Sequence, residues 1–261
     1  MKKIINILLL FVLTLLLSCR STAQDNESSN SETNMTLLID CTSTSLYDEI
    51  EHDIRINIPN YLQTTGVTTI SYLQKFCMRV GFIEATCNLS LTQESISLPE
   101  KKKVSNNRAA ELKNPQPILQ MIGNQLTVGK SIASNKQNRS PIVDVILKSM
   151  REMHPESQEI ILIFSDGVEY SDAANFYKSI PFSDEAFEKY YAKLDPFIIQ
   201  EATSKIASTQ PTVVFYLKTS EEGINKANLK HFYSKFFEKI GVTNYMFLDN
   251  LTQNVQSFNI D

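Results

Sequence analysis

The chain alternates short apolar runs with longer amphipathic stretches. Four runs are almost continuously hydrophobic: Met35–Ile39, Ile160–Phe164, Thr212–Leu217 and Tyr245–Leu248. Runs of that length without polar alternation predict strands buried on both faces, as in a parallel sheet covered by helices. Phe76–Ala85, with Cys77, Val80, Phe82 and Ile83, predicts a fifth strand. Around Leu89–Leu98, Leu89, Leu91, Ile96 and Leu98 alternate with polar residues and predict a sixth.

Helical spacing fills the gaps. Leu46, Ile50 and Ile54 recur every four residues, and Ile142, Val143, Ile146, Leu147 and Met150 form a compact stripe. Leu229, Phe232, Tyr233, Phe236, Phe237 and Ile240 define an amphipathic helix that Gly241 closes. Phe187, Tyr190, Tyr191 and Leu194 start another, which Pro196 breaks before Ile198–Ile206 resumes. Strands alternating with helices long enough to cross over imply an α/β fold. It is an open, doubly wound, mostly parallel sheet with helices on both faces.

The first residues follow a different pattern. Lys2 and Lys3 precede an apolar run from Ile4 to Leu17, and Ser18-Cys19 follows. At 1.5 Å per residue that run spans only about 21 Å as a helix, too short to cross a bilayer. Charged start, short apolar core and small residue before a cut describe a secretory signal. Cysteine directly after the small residue resembles the lipobox of bacterial lipoproteins. That resemblance implies a signal peptide at 1–18, acylation of Cys19, a polar tether over 19–34 and a folded domain over 35–261. Acyl chains hold a protein on a membrane because each buried CH₂ contributes about 0.8 kcal/mol. The expected location is the cell envelope, lipid-anchored. Arg20 rather than Asp after the cysteine favours the outer membrane of a Gram-negative bacterium.

Composition narrows the function. The whole chain has 261 residues with 42% hydrophobic and 21% charged, enough for a real core. It holds only 7 Gly, which argues against glycine-dependent nucleotide loops, and only 3 His, which argues against a histidine-rich metal centre. Removing residues 1–18 leaves 23 basic against 29 acidic residues, a net charge of −6. A mildly acidic body repels phosphate backbones, so nucleic acid is not an expected partner. Lys101-Lys102-Lys103 reads as a solvated loop. Beyond Cys19 stand Cys41, Cys77 and Cys87, an odd number, with no Cys-x-x-Cys spacing that would support zinc. Cys41 is expected to be buried beside its strand; Cys77 and Cys87 could pair only if the chain bends back between them.

Two of the predicted strands end in an aspartate. One reads Leu37-Leu38-Ile39-Asp40-Cys41-Thr42-Ser43-Thr44-Ser45, the other Ile161-Leu162-Ile163-Phe164-Ser165-Asp166-Gly167. Ligands of open α/β sheets bind beyond the carboxyl ends of strands, where strand order reverses. Two acids with nearby hydroxyls are hard oxygen donors suited to Mg²⁺ or Mn²⁺.

Asp40-x-Thr42-x-Thr44 resembles the Asp-x-Ser-x-Ser signature of von Willebrand factor A-type domains, with threonine at both serine positions. Ser165-Asp166-Gly167 is similar to that family's second acidic motif, on its fourth strand. A third hydroxyl comes in that family from a loop opening a helix; Ser140, before Pro141 and the Ile142–Met150 stripe, is the matching position. The resemblance implies a metal-ion-dependent adhesion site. Thr42, Thr44 and Ser140 would bind Mg²⁺ (or Mn²⁺ or Ca²⁺) directly, and Asp40 and Asp166 mainly through water. A carboxylate from a partner protein would complete the coordination. Residues 168–208 would form an enlarged connection or an added helix pair near the site.

Other chemistries fit less well. Gly123 to Ser131 resembles a phosphate loop but has five residues between its glycines where four are needed, and no strand precedes it. It reads better as a helix ending near Gly123 and a turn near Gly129. A Mg²⁺-dependent phosphohydrolase resembling the haloacid-dehalogenase superfamily also uses strand-terminal acids. It needs a general acid two residues after its nucleophile, and Thr42 stands there. No Gly-x-Ser-x-Gly elbow is present, and His52, His154 and His231 read as surface or boundary residues. The plainer alternative for Asp40, Asp166 and Ser140 is helix capping.

Overall fold

The computed structural model describes residues 32–69, 75–97, 116–135, 137–218 and 223–249. Among these residues six strands form one sheet: β1 (Glu32–Asp40), β2 (Lys75–Ile83), β3 (Thr92–Ser97), β4 (Ser157–Ser165), β5 (Thr212–Leu217) and β6 (Asn244–Leu248). Their spatial order is β3-β2-β1-β4-β5-β6. All neighbours are parallel except β2 and β3. Among the described residues six helices intervene: α1 (Thr44–Thr69), α2 (Gln116–Ser134), α3 (Ile142–Arg151), α4 (Asp184–Tyr191), α5 (Pro196–Thr209) and α6 (Lys226–Ile240). The chain is therefore the open, doubly wound α/β fold that the apolar runs predict.

Both sheet faces are covered. Val213, Phe215 and Leu217 of β5 pack with α3, α5 and α6, whereas Val214 and Tyr216 turn to the opposite side with α1 and α2. Successive strand side chains point to opposite faces, so a strand with two dry faces must be apolar at every position. That rule explains why β1, β4 and β5 were visible as unbroken runs. Asp195 caps α5 and Pro196 occupies its first turn, so the proline starts a helix while separating it from α4.

Two expectations need correction. Strand β1 begins at Glu32, so residues 32–34 belong to the sheet and not to a tether. Thr33 and Asn34 are buried there, with Asn34 Nδ2 donating to Glu159 Oε1 at 2.8 Å. Side-chain bonding to β4 holds polar residues in a strand that composition alone assigns to coil. The second correction concerns Gly123 and Gly129, which lie inside the continuous helix α2. A Cβ at Gly129 would stand 2.6 Å from the Tyr47 hydroxyl oxygen and 2.8 Å from Phe82 Cε1. The glycine thus permits close helix packing instead of making a turn.

Cys41, Cys77 and Cys87 are all free thiols, and Cys41 is fully buried as expected. His52, His154 and His231 are exposed. Lys101-Lys102-Lys103, Cys19 and the signal segment lie outside the described residues. No helix among the described residues is long and apolar enough to cross a membrane.

Candidate functional site

Strand order reverses between β1 and β4: from β1 the chain moves to β2 on one side, and from β4 to β5 on the other. The register pairs Ile39 with Phe164. One step further along each strand stand Asp40 and Ser165, followed by Asp166. The two acidic motifs, far apart in the chain, therefore meet at the switch point where such sheets bind ligands.

Asp40 is fully buried. Its Oδ1 accepts from Thr42 N at 2.9 Å and from Thr42 Oγ1 at 2.6 Å. Its Oδ2 accepts from Ser165 Oγ at 2.6 Å. Burial pushes this carboxyl above its ordinary pKa, and the Ser165 and Thr42 hydrogen bonds pull back toward the ionised form. Ser165 Oγ in turn accepts from Gly167 N at 3.0 Å, and Asp166 Oδ1 accepts from Val168 N at 2.8 Å. Gly167 has φ +75°, and a Cβ there would lie 2.5 Å from Leu217 Cδ1. Only glycine makes this tight turn.

The third segment arrives from the other side. Ser140 and Tyr170 exchange two backbone hydrogen bonds, at 2.8 and 3.0 Å. This short bridge sets the residue before α3 against the segment that follows Asp166. Thr42, Ser43, Ser45, Ser140, Asp166, Tyr170, Tyr177, Arg139 and Lys218 help line a cleft of ≈ 240 Å³ above the strand ends. Hydroxyls are the commonest side-chain oxygens in its lining, beside the carboxylates of Asp166 and Glu49.

The structure thus brings Asp40, Thr42, Ser140 and Asp166 together and sets Thr44 apart. Thr44 opens α1, does not line the cleft, and donates its hydroxyl proton to Ala133 O at 2.9 Å. Ser43 and Ser45 do line it, with hydroxyls 3.0 Å apart.

Helix capping does not explain these residues. Asp40 and Asp166 each accept from the backbone two residues on, in turns that are not helix caps. Pro141, not Ser140, holds the cap position of α3 and makes no side-chain bond. The Ser140 hydroxyl is buried with no hydrogen-bond partner among the described residues. An orphaned buried hydroxyl is costly unless something outside the chain meets it.

A phosphohydrolase nucleophile needs an open carboxylate oxygen, and both oxygens of Asp40 are engaged in the interior. Among the described residues, no group of three or more His, Cys, Asp or Glu could hold a metal ion. A cation here would therefore depend on hydroxyl donors. The hydroxyls of Thr42, Ser43, Ser45 and Ser140 and the Asp166 carboxylate are hard oxygen donors that fit Mg²⁺ or Mn²⁺, which retain several waters. Arg139 and Lys218 in the same lining form ion pairs with Asp172 and Asp53.

Glu169 was not foreseen. It stands in a connecting segment between Asp166 and Asp172, without apolar periodicity or motif spacing to single it out. It is 1% exposed, and its Oε2 accepts from Val143 N at 3.0 Å. Burial raises its pKa from 4.5 to about 8, against the lowering effect of hydrogen bonds from Ser171, Val143 and Ile142.

No family model matches the chain, and no curated protein matches it in sequence. Solved structures similar to it include the pilus adhesin SpaC of Lactobacillus rhamnosus GG in an open conformation. That match has 12% identity, covers 85% of this chain and 28% of the adhesin, and gives a TM-score of 0.42. The N-terminal domain of TFIIH p34 matches at 9% identity, over 88% of this chain and 97% of that domain, with a TM-score of 0.39. The manganese-loaded TRAP protein of Plasmodium vivax matches at 12% identity, over 85% and 70% of the two chains, with a TM-score of 0.29. The chain thus spans little more than a quarter of the adhesin's length.

Proposed function

We propose that the chain is a von Willebrand A-type binding domain that recognises a protein partner through a divalent cation. One observation carries the reading: Asp40-x-Thr42 and Ser165-Asp166-Gly167 converge at the switch point beside an orphaned, buried Ser140 hydroxyl. The Thr42 and Ser140 hydroxyls would hold Mg²⁺ or Mn²⁺, with Asp40 and Asp166 acting through water. Thr44, whose proton goes to Ala133, would join only through its oxygen lone pairs. The cation would supply a positive centre for a partner carboxylate. In the same reading, Cys19 is acylated and holds the domain on the envelope membrane.

Thermal melting with Mg²⁺, Mn²⁺ or EDTA tests the cation. An ion at 100-fold its Kd, bound only to the folded state, adds about 2.7 kcal/mol, or roughly 5–10 °C in a domain of this size. Asp40→Ala should remove the difference between metal and EDTA. Absence of any difference in the unsubstituted protein would leave a metal-free scaffold. A partner cross-linked from envelope extract in Mg²⁺, but not in EDTA or with Asp40→Ala, completes the test. Loss of membrane fractionation in Cys19→Ser tests the anchor.

A further inference from the structure

Helix α3 begins without a cap of its own. Pro141 stands at the cap position with no side-chain bond, and the Ser140 hydroxyl has no partner among the described residues. The first N–H groups of a helix have no acceptor within it. Here one of them, Val143 N, is met by Glu169 Oε2 at 3.0 Å, from 26 residues further along the chain. Glu169 lies three residues after Asp166, in the segment bridged to Ser140 through Tyr170. Its own carbonyl accepts from Phe176 N at 2.9 Å, which fixes its backbone. An ordinary serine or aspartate before α3 would cap it locally for about 1 kcal/mol. A local cap, however, would add nothing between the two segments, which the Ser140–Tyr170 backbone bridge sets side by side. The buried Glu169 carboxyl adds a further link beside that bridge, at the first turn of α3.

We propose that Glu169 is a positioning residue for the cation cleft, capping α3 from the Asp166 segment and thereby holding the Ser140 hydroxyl in register with Asp166. This rests on the cation-binding reading. Asp40 and Thr42 are fixed by their own bonds and by Ser165, and Asp166 by Val168 N, none of which involves Glu169. Loss of the Glu169 carboxyl should therefore free the start of α3 and displace a single donor, Ser140. Second-layer partners of this kind change metal affinity by about 10–100-fold.

Calorimetric titration of Mn²⁺ into the purified full chain tests this. Glu169→Ala and Ser140→Ala should each weaken binding about tenfold or more. The double variant should be no weaker than either single one, because both remove the same donor. Glu169→Gln, whose amide oxygen still accepts the Val143 N–H, should bind nearly as the unsubstituted protein does. If Glu169→Ala does not fold, Glu169→Asp takes its place, since one methylene less prevents the reach to Val143. Unchanged affinity, or fully additive losses in the double variant, overturns the proposal. Should the unsubstituted protein bind no Mn²⁺, the cation reading fails, and hydrogen exchange in EDTA judges the clamp alone. Val143 and Ser140 amides should then lose protection in Glu169→Ala and keep it in Glu169→Gln; equal protection in both overturns the clamp as well.

Discussion

A carboxyl kept from water holds its proton, and Glu169 makes that measurable. Its folded pKa of about 8 lies above the ordinary 4.5 because of burial. Between those values the folded state binds a proton that the unfolded chain has released. The associated stability is fully present below pH 4.5 and is lost as pH rises through 8. Chemical denaturation in EDTA should show unsubstituted protein and Glu169→Gln about equally stable near pH 5. Near pH 8.5 the glutamine variant should be ahead, by on the order of a few kcal/mol. A variant weaker at every pH would mean that the partial positive charge at the start of α3 outweighs desolvation. Residues of the site differed in how far the sequence disclosed them. Asp40 and Asp166 were legible because each ends an apolar run at the carboxyl edge of the sheet, although both side chains are buried there instead of standing at an open mouth. Ser140 was legible only by its place before a helical stripe. Glu169 was not, because burial of a loop acid depends on partners brought together by the fold.

At the scale of elements, helix α6 holds the long connection after β4 in place. Phe232 is the hub: its ring centre lies 4.7 Å from that of Phe176, 5.1 Å from Tyr190 and 5.7 Å from Phe187. These edge-on contacts dock both the segment after Asp166 and helix α4. Outside the aromatic cluster, Lys235 pairs with Asp184, and Lys239 Nζ lies 2.9 Å from Glu188 Oε1. Such exposed ion pairs add little, so the rings dominate. Phe232→Ala should destabilise the protein by about 3–5 kcal/mol in urea melts. It should also raise hydrogen exchange in α4 and residues 170–180 before the sheet opens. Uniform exchange across the sheet would assign Phe232 to the general core instead. The helical period of α6 was evident from its aromatic offsets, and Gly241 marked its end. The two glycines of helix α2 look like terminators in the sequence, and only the fold, with Tyr47 and Phe82 against Gly129, shows why a glycine sits mid-helix.

The whole molecule is organised about the seam between β1 and β4, and buried polar groups fasten both of its ends. At the carboxyl end, Ser165 of β4 donates to Asp40 of β1. At the amino end, Glu159 of β4 accepts from Asn34 of β1 and pairs with Arg79 of β2, all three nearly inaccessible to water. Arg79 Nη1 also donates to Glu152 O at 3.0 Å. Removing one partner of a buried ion pair strands the other charge, so Glu159→Ala should cost about 3–5 kcal/mol. Ser165→Ala withdraws one donor from a buried carboxyl and should cost about 1–3 kcal/mol. The two losses differ in kind as well as size. Glu159 stands six residues from the β4 tip, some 20 Å at about 3.3 Å per residue, so its loss should lower the melting temperature while leaving the Mn²⁺-induced increment unchanged. Ser165 orients Asp40 directly, and its loss should reduce that increment. Melting each variant with Mn²⁺ and with EDTA separates the two ends. Equal loss of the increment in both would mean that cation response tracks general stability, and that the cleft is not an independent site on the seam.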